Sequence, residues 1–123
     1  MQTTPVASIV DDDQSFRLAL SSLVRSMGWN AHLYKSAEAF LDSDRASDTT
    51  CLLCDVRMPG MSGVEMHERL LARGIAPPTI FISAFPSSEL EERVLSNGAL
   101  VLLEKPPSTA ALVLWLSSAL RGT

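Results

Sequence analysis

Five short apolar runs, each followed by a stretch with helical spacing, constrain this chain more than any other feature. The runs are residues 6–10, 29–34, 51–55, 79–83 and 100–103. After the first, Phe16, Leu20, Leu23, Val24 and Met27 recur at helical spacing, and Gly28 stands where a left-handed C-terminal cap would. Ser36 is placed to cap a short helix to Leu41, and residues 42–50 read as a polar loop. After a turn at 58–61, Ser62 and Glu65 have capping-box spacing and open a helix to about Arg73. Ser88 and Glu91 repeat that spacing for a helix ending near Asn97 and Gly98, and a last helix covers 108–120. Strands that alternate with helices pair in parallel through crossovers, and nearly all-apolar strands are covered on both faces. The expected fold is α/β, a doubly wound (βα)5 parallel five-stranded sheet forming one domain over residues 1–123.

Composition narrows the function classes. With 46% hydrophobic and 20% charged residues the chain is globular rather than disordered. A formal charge of −4, with no basic run, speaks against direct nucleic-acid contact by this domain. The start lacks a signal-peptide pattern, and the longest apolar run, 110–116, is too short to span a bilayer. The expectation is a soluble, cytoplasmic protein without membrane contact. Cys51 and Cys54 have C-x-x-C spacing, yet they sit three apart on one predicted strand, where side chains point to opposite faces. They read as small buried side chains, not a metal or redox site.

The polar residues gather where the strands end. Asp11, Asp12 and Asp13 follow the first strand, Asp55 ends the third, Ser83 ends the fourth, and Lys105 follows the fifth. Open parallel sheets bind ligands beyond the carboxyl ends of their strands, and a strand order of 2-1-3-4-5 would bring these groups together. Asp11, Asp12 and Asp55 in one place repel unless a hard divalent cation such as Mg²⁺ joins them, with Mn²⁺ able to substitute. Aspartate is a covalent acceptor of phosphoryl groups, so Asp55 is the candidate nucleophile. Lys105 supplies a cation for the transferred charge, Ser83 a hydroxyl donor, and the small Ala84 leaves room for phosphoryl oxygens. Each residue has an ordinary alternative: Asp13 as a helix cap, Asp11 and Asp12 as solvated acids, Ser83 as a strand-end hydroxyl, Lys105 as a surface cation. Their joint placement is what favours a site.

Three stretches carry a family resemblance: Ile9-Val10-Asp11-Asp12-Asp13, the run from Cys54-Asp55-Val56-Arg57-Met58-Pro59-Gly60 to Glu65, and Glu104-Lys105-Pro106. The chain resembles the receiver domains of bacterial two-component response regulators, which have the flavodoxin-like fold. Residues 57–63 and 36–41 look most like FixJ-type transcriptional regulators. The resemblance implies phosphorylation of Asp55 by a sensor histidine kinase. It also implies Mg²⁺ held by Asp12 directly, by Asp11 mainly through water, and by the backbone carbonyl of Arg57. Ser83 and Lys105 would contact the phosphoryl group, and the Lys105–Pro106 bond would often be cis. The chain would then be a phosphoacceptor signalling domain rather than an enzyme, and the N-terminal part of a longer regulator with a DNA-binding domain. A stand-alone receiver that acts by protein contact or in a phosphorelay is the alternative.

Leu102 stands where the family commonly has a switching aromatic, and Phe85-Pro86 and Pro107 are further departures, so an altered switch amplitude or phosphoryl lifetime is expected. A haloacid-dehalogenase-type phosphatase needs a second acid two residues past its nucleophile, where this chain has Arg57. Flavin mononucleotide binding needs a phosphate-cradling loop after the first strand, and three aspartates there would repel phosphate. In the last helix, Leu112, Leu116 and Ala119 are placed to face the core, while Val113, Leu114 and Trp115 are left as a candidate face for a homodimer or an output domain.

Overall fold

The computed structural model describes residues 3–121. Five strands, β1 (Val6–Val10), β2 (Asn30–Tyr34), β3 (Cys51–Asp55), β4 (Thr79–Ser83) and β5 (Val101–Glu104), alternate with helices α1 (Gln14–Ser26), α2 (Ala37–Ser43), α3 (Gly63–Ala72), α4 (Ser88–Ser96) and α5 (Thr109–Leu120). All strand pairs are parallel, in the order β2-β1-β3-β4-β5. This is the expected doubly wound sandwich.

Strand alternation divides the core into two layers. Leu52 and Cys54 of β3, with Phe81 of β4, pack under Phe40, Val64, Met66, Leu70 and Val94 on one face. Cys51 and Leu53, with Ile80 and Ile82, pack under Leu20, Val24, Leu112 and Leu116 on the other. The two cysteines are buried, free and on opposite faces. Burial pushes the Cys51 thiol up to about 12 and Cys54 well above its usual value, so neither is poised as a thiolate.

Helix starts follow their caps. Asp13 accepts from Phe16 N at α1, and Ser62 and Glu65 form a complete capping box at α3. Helix α4 corrects an expectation: Ser87, not Ser88, is its cap and accepts from Leu90 N at 3.1 Å. Ser87 is extended after Pro86, so the helix begins at Ser88, and Val94 is its buried residue. The segment expected to be a loop also holds structure. A single 3-10 turn spans Ala46–Asp48, Thr50 Oγ1 accepts from Val6 N at 2.9 Å, and Thr49 Oγ1 lies 2.7 Å from Ser8 Oγ. These hydroxyls tie the approach to β3 onto β1. Strand β5 begins one residue later than expected, at Val101.

His67 is the awkward polar group of the interior. Its ring stands edge-on to Phe81, with centroids 5.3 Å apart, and its buried Nδ1 has no hydrogen-bond partner. Burial holds its pKa below 6.5, partly offset by Glu68, which is itself drawn to Arg93 Nη2 at 2.7 Å and Asn97 Nδ2 at 2.9 Å. A base with a lowered folded-state pKa stays neutral in the fold while the unfolded chain takes up a proton. Stability is therefore full above the unfolded value and falls as pH drops through and below it. Between about pH 7.5 and about pH 5.5 the urea midpoint of the wild type is expected to fall relative to that of His67→Leu, a comparison in which the opposite contribution of the raised Asp55 carboxyl is common to both proteins. Equal slopes would rule His67 out as the cause.

Candidate functional site

The carboxyl ends of β1, β3, β4 and β5 meet at one end of the sheet, and the polar residues meet with them. Asp11, Asp12 and Asp55 each offer a carboxylate oxygen, and these lie within 4.8 Å of one another. Asp11 is 1% exposed and Asp55 8%, while Asp12 faces solvent. Asp11 is held on every side: its N–H donates to Tyr34 O at 3.1 Å, and its Oδ1 accepts from Asp13 N at 2.8 Å. Its carbonyl accepts from Arg17 Nη1 at 2.6 Å. So the first turn of α1 is fastened to the end of β1.

Lys105 closes the cluster. Its Nζ donates to Asp11 Oδ2 at 3.0 Å and stands 3.8 Å from Asp55 Oδ2. Its N–H donates to Ser83 O at 2.8 Å, which carries the β5 ladder into the loop. The Lys105–Pro106 peptide bond is cis. Ser83 is buried at the end of β4, and its Oγ accepts from Phe85 N at 3.1 Å. Ala84 beside it is exposed.

Three carboxylates against one ammonium leave an electrostatic deficit. Burial and the charge of Asp11 push the Asp55 carboxyl up to about 6, against the pull of Lys105, with Asp12 adding to the rise. Burial alone would depress the Lys105 ammonium, but its hydrogen bond to Asp11 and the charges of Asp11, Asp55 and Asp13 outweigh this and raise it. A cluster of this composition, all hard oxygen donors and short of positive charge, fits a divalent cation such as Mg²⁺.

Residues 7–116 match the family described as the response regulator receiver domain. The chain belongs to the response-regulator receiver family. It is 40% identical over 101 residues to the response regulator protein TodT of Pseudomonas putida, covering 82% of this chain and 44% of that one. To the transcriptional regulatory protein FixJ of Azorhizobium caulinodans it is 37% identical over 105 residues, covering 85% and 50%. Among solved structures, the response regulator StyR superposes with a TM-score of 0.89 at 36% identity, covering 97% of this chain and 60% of that one. The FixJ-N structure superposes with a TM-score of 0.85 at 30% identity, covering 100% of this chain and 98% of that one. The receiver spans about half the length of the curated relatives it matches. The relatives are response regulators and transcriptional regulators, and the family is a signalling family rather than one of classical enzymes.

Other expected positions lie around the receiver's site. Leu102 is buried and floors an open cleft of about 340 Å³ with Pro86, Ser87, Ser88, Glu91 and Glu104. Phe85 is 70% exposed, and the Arg57 guanidinium lies 5.7 Å over its ring, linking the loops that follow β3 and β4. On α5, Leu112, Leu116 and Ala119 face the core as expected, Val113 and Trp115 are half-buried, and Leu114 is 59% exposed. Among the described residues, no helix is long and apolar enough to cross a membrane. Two neighbours of the site were not singled out from the sequence as part of it. Phe16 lies 4.3 Å, ring centroid to Nζ, from Lys105, and Arg17 holds Asp11.

Proposed function

We propose that this receiver accepts a phosphoryl group on Asp55 from a sensor histidine kinase and passes the change to its outer surface. The observation that carries this is the Lys105 ammonium set between Asp11 and Asp55, within an acidic cluster at the strand ends. An Asp55 carboxylate oxygen forms the new P–O bond while the P–N bond of a phosphohistidine breaks. The imidazole nitrogen leaves with the electron pair and takes a proton from solvent. Lys105 offsets the charge on the transferred oxygens, and Ser83 turns its hydroxyl to donate to one of them. Asp11, Asp12, Asp55 and the Arg57 carbonyl would hold Mg²⁺, which when bound supplies the positive charge that lets carboxylates and phosphoryl oxygens share one place.

Ser83 cannot turn without consequence. In the unphosphorylated chain its Oγ accepts from Phe85 N, so its rotation releases the exposed loop that carries Phe85 and Pro86 beside the Leu102 cleft. With leucine at the cleft floor rather than an aromatic, the response of that surface rests on the loop. Relatives about twice as long are transcriptional regulators, which supports reading the chain as the receiver part of a protein that controls transcription through a further domain. Incubation with a small acyl phosphate and Mg²⁺, followed by intact mass, tests the central step. The wild type gains one phosphoryl group and Asp55→Asn gains none; equal labelling of both overturns the assignment.

A further inference from the structure

The Lys105 ammonium has three N–H donors and a short list of neighbours. One donor goes to Asp11 Oδ2 at 3.0 Å and a second faces Asp55 Oδ2 at 3.8 Å. The remaining side is covered by the face of Phe16, whose ring centroid is 4.3 Å from Nζ, and the side chain is 19% exposed. That distance is well inside the range over which a ring quadrupole attracts a cation, about 6 Å. Phe16 is also held in place: its N–H donates to Asp13 Oδ1 at 3.3 Å, and the next residue, Arg17, fastens the same helical turn to the Asp11 carbonyl. The Phe16 backbone therefore sits at a fixed point relative to the acidic strand end, and the ring projects from it over Lys105 Nζ.

We propose that Phe16 is a positioning residue for Lys105, holding the ammonium between Asp11 and Asp55 through the face of its ring. This rests on the reading of Asp55 as phosphoryl acceptor. A lysine on a four-carbon stem loses rotamer freedom when it is fixed in one place. The two carboxylates attract the ammonium but also leave it a range of positions between them. An aromatic face on the third side removes the outward route to water, so the charge is already in place when the P–O bond to Asp55 forms.

A residue that merely fills space would be replaced without loss by another apolar side chain, and the test uses that difference. The donor is a small acyl phosphate with Mg²⁺: the new P–O bond to Asp55 forms as the donor's P–O bond breaks, and the donor leaves as its own carboxylate. Phe16→Leu is expected to slow phosphoryl uptake about three- to tenfold, while Phe16→Tyr stays within about twofold of wild type. Site-specific fluorinated phenylalanines at position 16 keep the shape and weaken the ring's negative face, so the rate should fall stepwise with fluorine number. In the free protein, the Lys105 Cε protons should carry an upfield ring-current shift that survives in Phe16→Tyr and vanishes in Phe16→Leu. A wild-type rate in Phe16→Leu, or a rate indifferent to fluorination, overturns the proposal. If instead Asp55→Asn labels like wild type, the acceptor assignment fails, and the ring-current shift alone decides whether Phe16 holds Lys105.

Discussion

Gly63→Ala is expected to destabilise the receiver by about 2–4 kcal/mol and to slow phosphoryl uptake by more than about tenfold. Gly63 is the first residue of α3, and its N–H donates to Val56 O at 3.0 Å, which brings the helix start against the end of β3. A Cβ there would overlap the Asp55 carbonyl oxygen and stand 2.6 Å from Cys54 Sγ. Neither neighbour is the free end of a flexible side chain. One is the backbone of the proposed acceptor itself, and the other is a wholly buried core atom. Accommodation must therefore push α3 outward or move the end of β3, and either displaces the Asp55 carboxylate from Lys105. Urea unfolding and acyl-phosphate labelling read the two effects separately. Adding Cys54→Ala should recover only part of the stability, because the carbonyl overlap remains. A change below about 0.5 kcal/mol would mean that the helix start yields freely and that the contact does not constrain Asp55.

Gly63 also shows what the sequence reveals and what it hides. The capping box named Gly63 as a helix start, and the strand ends named Asp55, but the close approach between the two is a tertiary distance with no local signal. The architecture itself was legible because short apolar runs such as 51–55 and 79–83 alternate with helical patterns, the arrangement of interior parallel strands, and both runs are buried throughout. The same logic placed Asp11, Asp12, Asp55, Ser83 and Lys105 together, since topology alone brings neighbouring strand ends to one spot. Contacts set by side-chain direction were out of reach. Phe16 belongs to the apolar pattern of α1, and nothing in that pattern says that its ring meets a lysine beyond β5. Ser87 and Ser88 are equally good caps as residue types, and only the folded backbone shows that Ser87 is the extended one. Thr49 and Thr50 looked like loop residues because hydroxyls that bond across to β1 carry no periodicity.

Without a divalent cation near neutral pH, Asp55→Asn is expected to be more stable than wild type by about 1–2 kcal/mol, although it cannot accept a phosphoryl group. The site holds the carboxylates of Asp11, Asp12 and Asp55 within 4.8 Å of one another, with Lys105 as their ammonium partner. Two like charges at such a separation repel by a few kcal/mol at an effective dielectric near 20, and solvent at the open edge by Asp12 screens part of this. Asparagine keeps the shape of Asp55 and removes its share of the repulsion and of the burial cost. Lys105 keeps its 3.0 Å bond to Asp11, so the variant does not strand a buried cation. Magnesium should reverse the order. A ligand that binds only the folded chain stabilises it by about 2.7 kcal/mol at a hundredfold excess over its dissociation constant, and the variant, with one fewer carboxylate, should gain less. Thermal or urea unfolding of both proteins with and without Mg²⁺ measures the crossover. A wild type that is the more stable of the two in the absence of metal would show that Lys105 already neutralises the cluster. The resting site would then have no electrostatic need of a cation, and the case for Mg²⁺ would rest on the phosphoryl group alone.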